Sequence, residues 1–277
     1  MMYRIKKFSY EHRNLCALPR MAARAAGMAG MRREHAEEYR RLRRFRDAHR
    51  GERCFIIATA PSLTLEDVEA VRDEVTFSVN SCFKLFDRTD WRPTYYGVTD
   101  KNVFRGLKAD FDRSQLSTIF FADGVDLSPD ENAFCFPLDE FPVDYEGTIY
   151  PRLLPGLFPP ARFSSDIERR VGAGGTVVFS MLQIAAYMGF SEIALLGVDC
   201  DFTGPKRQAE GTGYRQAGGG AKSYMRQSAE RIGERMLESF AVARKYADEH
   251  GFTIYNATRG GKLEAFERRT IEQIRKG

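Results

Sequence analysis

From Cys54 onward the chain alternates apolar segments of strand length with helix-forming stretches, and this alternation most constrains its fold. Residues 54–57 read as a buried strand that runs into the turn Ala58-Thr59-Ala60-Pro61-Ser62. A helix over 65–72 follows, with Ser62 or Thr64 as its cap and Glu66 and Asp67 in its first turn. Further strands are expected at 75–80, 93–100, 117–123 and 133–138, with a helix at 102–109. A proline- and aromatic-rich stretch, 139–163, reads as an irregular cover. Gly172-Ala173-Gly174-Gly175-Thr176 then opens a helix over 177–188, which Gly189 stops before a strand at 193–198. Residues 202–221 are rich in glycine and charge and read as a mobile lid. A long amphipathic helix over 223–250, a strand at 253–255 and a terminal helix complete the chain. The pattern predicts an α/β fold with a mostly parallel sheet and helices on both faces.

Polar residues gather at the carboxyl ends of the expected strands: Thr59 and Ser62, Asn80 and Ser81, Thr99 and Asp100, Asp199 and Asp201, Asn256 and Thr258. Each alone is as well explained as a turn former or cap. Five at corresponding positions mark one edge of a parallel sheet, where ligands bind. The turn after 54–57 has neither G-x-G-x-x-G nor a G-K-[ST] ending, so neither a dinucleotide fold nor a P-loop is indicated. Gly172–Thr176 supplies a second helix N-terminus suited to an anion. Asp199-Cys200-Asp201 matches the D-x-D arrangement with which many sugar-nucleotide enzymes hold a divalent cation; its plainer reading is a loop-entry aspartate accepting backbone hydrogen bonds.

Composition narrows the class. The net charge is only +4, but arginines 32, 33, 40, 41, 43, 44, 46 and 50 crowd the first 50 residues. That leader reads as helical from about Arg32 and as a solvated helix packed loosely on the main domain, or as a helix drawn to anionic lipid headgroups. No reader motif for nucleic acid accompanies it. Five scattered cysteines argue for a reducing cytoplasm and against a disulfide framework or zinc site. No apolar run is long enough to span a bilayer. The four histidines, His12, His35, His49 and His250, lie in the leader or at a helix end, which sets histidine catalysis aside unless the leader folds over the site.

Taken together, 54–63, Asn80, 94–100, 174–197 with Asp199, and Tyr255-Asn256-Ala257-Thr258-Arg259-Gly260-Gly261-Lys262-Leu263 with Phe266-Glu267 resemble the bacterial hydroxymethylpterin-pyrophosphokinase-like domain. That domain occurs in surface-polysaccharide loci and flagellin-glycosylating motility factors, and is similar in turn to the CMP-sialic-acid-dependent sialyltransferases. The resemblance covers about 50–274 and implies a Rossmann-like, GT-A-variant catalytic domain over 51–277, with a lid at about 202–222 above the donor. It implies that Pro61, Ser62 and Asn80 contact the cytidine nucleotide and that Gly174, Gly175 and Thr176 face its phosphate; Asp100 and Asn256 join the nucleotide-binding set from their strand-tip positions, with Thr59 as the replacement for a lost asparagine contact.

Those sialyltransferases are inverting and metal-independent: a base activates the acceptor hydroxyl, and lid hydroxyls steady the departing phosphate. Here Ala58-Thr59-Ala60 replaces the usual Gly-Asn-Gly, and the lid histidine has no counterpart, its nearest match being Lys222-Ser223-Tyr224. The tyrosines expected just after the Asp199 strand are missing too, leaving Tyr214 and Tyr224 further on. Asp199 or Asp201 is the expected substitute base, with Tyr224 in the catalytic set and Tyr214, Arg215 and Lys222 at the leaving group. The implied function is a cytoplasmic glycosyltransferase that moves a CMP-activated acidic sugar to a glycan or lipid-linked acceptor in building a cell-surface glycan, the leader resting on the inner membrane face. No cofactor is required in that reading, with Mg2+ and a homo-oligomer left open. Two other readings stand beside it: a magnesium-dependent pyrophosphokinase on a pterin-like substrate, with Asp199 and Asp201 on the metal, and a degenerate domain that binds nucleotide or glycan without chemistry.

Overall fold

The computed structural model describes residues 22, 23, 26, 27, 29–140, 159–202, 208–213 and 229–276. Its centre is β1 (Arg53–Ile57), whose last four residues are all buried. From β1 the chain steps outward on one side through β2 (Thr76–Val79), β3 (Tyr95–Val98), β4 (Ile119–Ala122) and β5 (Ala133–Phe136). It then returns to the other side of β1 with β8 (Glu192–Leu196), β9 (Thr253–Asn256) and β10 (Glu267–Arg268). The sheet order is β10-β9-β8-β1-β2-β3-β4-β5, and every pairing is parallel. Strands two to five are buried at every position, as a sheet covered on both faces requires. This is a Rossmann-like α/β fold. Its topological switch point lies between β1 and β8, where Ile57 pairs with Ser78 on one side and Leu196 on the other.

The short helices α1 (Ala36–Arg40), α2 (Leu65–Ala70), α3 (Lys101–Leu107) and α6 (Ile271–Lys276) flank the long α4 (Val177–Tyr187) and α5 (Ala229–His250). Helix α4 is apolar nearly all round and packs against β1, β2 and β3, with Met181 lying against Gly97. Its last turn meets the start of the domain: Asp47 N–H donates to Tyr187 O (3.1 Å) and His49 N–H to Met188 O (2.8 Å). His49 also bridges Glu52 (2.9 Å) and the Tyr95 hydroxyl (2.7 Å) at the amino edge of the sheet. The opposite end of α4 therefore points to the carboxyl edge.

Three features differ from the expectation. A two-stranded parallel pair, β6 (Leu138–Asp139) with β7 (Val171–Gly172), follows β5, and β10 extends the sheet; both are only two residues long, too short for a periodicity. The end of the leader, moreover, is not a loosely packed solvated helix. Tyr39, Leu42 and Phe45 join the main core, and Phe45 sets its ring edge-on to Phe120 (4.9 Å) and Phe134 (4.8 Å). Its arginines are engaged within the fold: Arg43 and Arg46 hold Glu168, and Arg41 lies 4.6 Å over the Phe134 ring. Three apolar side chains spaced by three outweigh the charge around them, because the arginine heads stay in water while their stems pack.

Candidate active site

The turn leaving β1 is shaped by its own side chains. Thr64 caps α2 and forms a reciprocal capping box with Asp67. Arg259, in the loop after β9, sends both terminal nitrogens to Asp67 (2.6 Å each) and one of them also to Ser62 O (3.2 Å) and Thr64 Oγ1 (3.1 Å). The N-terminus of α2 is thus occupied by an internal carboxylate, so the anion seat a strand-turn-helix suggests is filled here from within.

Beside this turn stands the tip of β8. Gly197, at φ +66°, has its α-carbon so close to β1 that a β-carbon would lie 2.7 Å from Ala58 O. Only glycine allows the approach. It brings Asp199 to Ser62, whose hydroxyl and N–H (3.3 Å) donate to the two oxygens of the Asp199 carboxylate. Cys200 turns the chain at φ +52°, and burial raises its thiol to about 12. Asp201, beyond the turn, pairs with Lys262 Nζ at 3.2 Å, while Lys262 N–H donates to Asp199 O (2.7 Å). Separate donors therefore hold the two carboxylates of the D-x-D sequence, Ser62 on Asp199 and Lys262 on Asp201. Among the described residues no cluster of three or more His, Cys, Asp or Glu suits a metal.

Neighbouring strand tips play different parts. Asn80 follows β2 at φ +50°, a conformation asparagine tolerates better than most residues, and Tyr96 OH donates to its carbonyl (2.6 Å). Its buried Oδ1 and the buried Ser81 hydroxyl find no hydrogen-bond partner among the described residues. Asp100 caps α3 through Asn102 N–H (2.7 Å) and Val103 N–H (3.3 Å). Asn256 is 1% exposed, donates to Leu263 O (2.7 Å) and accepts from Thr258 N–H (3.0 Å), so it secures its own loop rather than facing the crevice. Thr258 likewise accepts from Val198 N–H (3.1 Å).

The open helix terminus is that of α4. Thr176 caps it by accepting from Val178 N–H (3.3 Å), and the N–H groups of Gly174, Gly175 and Val177 meet no acceptor among the described residues. Arg235 of α5 lies against Gly175, where a β-carbon would come 2.8 Å from its Nε and φ is +78°. Two residues earlier, Gly233 abuts Cys200 O, so α5 ties the α4 N-terminus to the β8 tip. Within the expected lid, 208–213 is fixed to the body: Ala209 N–H donates to Thr59 O (2.7 Å), Lys84 Nζ to Gly213 O (3.1 Å), and Thr212 is buried. Tyr214, Arg215, Lys222 and Tyr224 lie outside the described residues. Arg235 and Arg259 are the site residues that sequence reasoning missed. Arg259 stands inside a recognised motif, whereas Arg235 is one of many charges on an amphipathic helix and carried no signal.

No protein-family model matches the chain, and no curated protein does. Among solved structures, the MAf glycosyltransferase from Magnetospirillum magneticum AMB-1 is similar over 86% of this chain, at 14% identity and a TM-score of 0.49. The chain covers 38% of that protein's length.

Proposed function

We propose that the protein is a glycosyltransferase that uses a CMP-activated acidic sugar, acting on a glycan or lipid-linked acceptor of a bacterial cell surface. The observation that carries this reading is the convergence at the switch point: the β1 turn and the β8 tip joined through Ser62 and Asp199, beside an α4 N-terminus flanked by Arg235. One end of the crevice suits an anion and the other a polar nucleoside. The motif resemblance supplies the cytidine and the acidic sugar. Asn80, whose side-chain oxygen has no partner among the described residues, stands at the adjacent strand tip and is assigned to the nucleotide in this reading.

In this reading the acceptor oxygen attacks the anomeric carbon as the bond to the phosphate oxygen breaks, and CMP leaves with its charge on the phosphate. The acceptor's proton passes to Asp201, since the Asp199 carboxylate already accepts both donors of Ser62. The α4 N-terminus and Arg235 hold the departing phosphate in place of the tyrosine hydroxyls that the related transferases use. The leader's membrane role is part of the proposal, but arginines 43 and 46 are committed to Glu168 and arginines 41 and 44 lie over the Phe134 ring, so headgroup contact would fall to other basic residues. Among the described residues no helix is long and apolar enough to cross a membrane.

A thermal-shift panel with CMP, CDP, AMP, ATP and Mg2+ tests the reading, with CMP expected to stabilise and chelator expected to change nothing. Stabilisation by ATP with Mg2+ and none by CMP would instead indicate the pyrophosphokinase. With a donor in hand, Asp201→Asn should lower kcat by about two to four orders of magnitude while CMP binding persists. Unchanged turnover would remove Asp201 from the mechanism.

A further inference from the structure

We infer that the Ser62–Asp199 pair reads the ribose of the bound nucleotide, and that the phosphate lies away from it at the α4 N-terminus. This rests on the nucleotide reading above and adds the orientation of the ligand and its sugar specificity. Ser62 commits both its donors, N–H and hydroxyl, to one carboxylate. A serine hydroxyl has a single proton, so Oγ is left with lone pairs only, and an ionised carboxylate accepts without donating. The two nearby cations have other partners, Arg259 on Asp67 and Lys262 on Asp201. Among the described residues no cation pairs with Asp199, so the Ser62–Asp199 pair presents an uncompensated carboxylate and acceptor lone pairs between β1 and β8.

A phosphate placed there would meet the Asp199 carboxylate, a like charge, while the nearest ammonium, Lys262, is already drawn to Asp201. A vicinal diol fits, because its two hydroxyls donate where the protein can only accept. The complementary chemistry stands at the other end: backbone N–H groups of Gly174, Gly175 and Val177 and the Arg235 guanidinium, donors without an acceptor role. The opposed polarity of the two ends aligns a ribonucleotide in one direction.

Calorimetric titration of the full chain with CMP, its 2′-deoxy and 3′-deoxy analogues, and cytidine tests this. Hydrogen bonds to a charged acceptor predict that CMP binds at least about tenfold more tightly than either deoxy analogue. Asp199→Asn and Ser62→Ala should shrink that ratio while keeping the preference of CMP over cytidine, and Arg235→Gln should do the reverse. Equal affinity of the wild-type chain for CMP and both deoxy analogues overturns the ribose assignment and leaves the nucleotide reading standing. Tighter CMP and inorganic phosphate binding by Asp199→Asn overturns it too, by showing that the pair occupies a phosphate seat. If no nucleotide binds at all, both readings fail.

Discussion

Arg259 makes four contacts with a single turn and so decides how the β1–α2 connection presents Ser62. Its planar fork spans both oxygens of Asp67, a geometry an ammonium cannot reproduce. The side chain is 59% exposed, which screens the pair and limits its contribution. Arg259→Ala should cost about 1–2 kcal/mol, read from the denaturant midpoint, with Arg259→Lys recovering less than half. An Arg259→Lys protein as stable as the parent would show that charge, not the fork, is what matters. The turn residues Pro61, Ser62 and Thr64 were readable because proline, serine and threonine have strong local preferences. Their partners were not: Asp199 and Arg259 reach them from more than a hundred positions away, and no local pattern encodes such a contact.

At the scale of elements, the alternation of strands and helices was legible because each core strand is a short apolar run bounded by turn chemistry. The leader was misjudged for the opposite reason, its charge masking a three-residue apolar face. Helix α1 and the 3-10 turn after it cover the edge strand β5, where Tyr39 OH donates to Asp123 (3.2 Å) and Leu138 N–H donates to the same carboxylate (3.0 Å). Deleting the leader would open the core, so a test of membrane docking should change exposed arginines instead. Phe45→Ala is expected to lose about 3–5 kcal/mol in chemical denaturation, and a loss below 1 kcal/mol would mean the leader is peripheral after all. Asp123 also gives the docking a pH dependence. Burial raises its pKa above the ordinary carboxylate value despite the hydrogen bonds from Leu138 and Tyr39. The folded chain therefore keeps this proton at pH values where the unfolded chain has lost it, and stability falls as pH rises between the two pKa values. Asp123→Asn should remove that contribution to the slope and be neutral or stabilising at pH 7. A variant that instead loses stability at pH 7 while keeping the parent's slope would show that the carboxylate is ionised and needed.

For the whole molecule, the switch point between β1 and β8 is where two halves of one sheet diverge, and the candidate site lies across that divide. The halves are not independent. Leader residues, sheet, α4, α5 and α6 contribute to a single hydrophobic cluster that runs from Tyr39 to Ile274. A ligand seated at the divide touches the tips of strands from both halves, so it should stabilise them as a unit. On the proposed reading, CMP at a hundredfold excess over its dissociation constant adds about 2.7 kcal/mol to the folded state by linkage. For a chain of this size that corresponds to a rise in Tm of roughly 5–10 °C. Scanning calorimetry should record one transition, displaced as a whole by CMP. Two transitions, of which CMP moves only one, would mean that the sheet halves unfold separately and that the nucleotide contacts one of them alone.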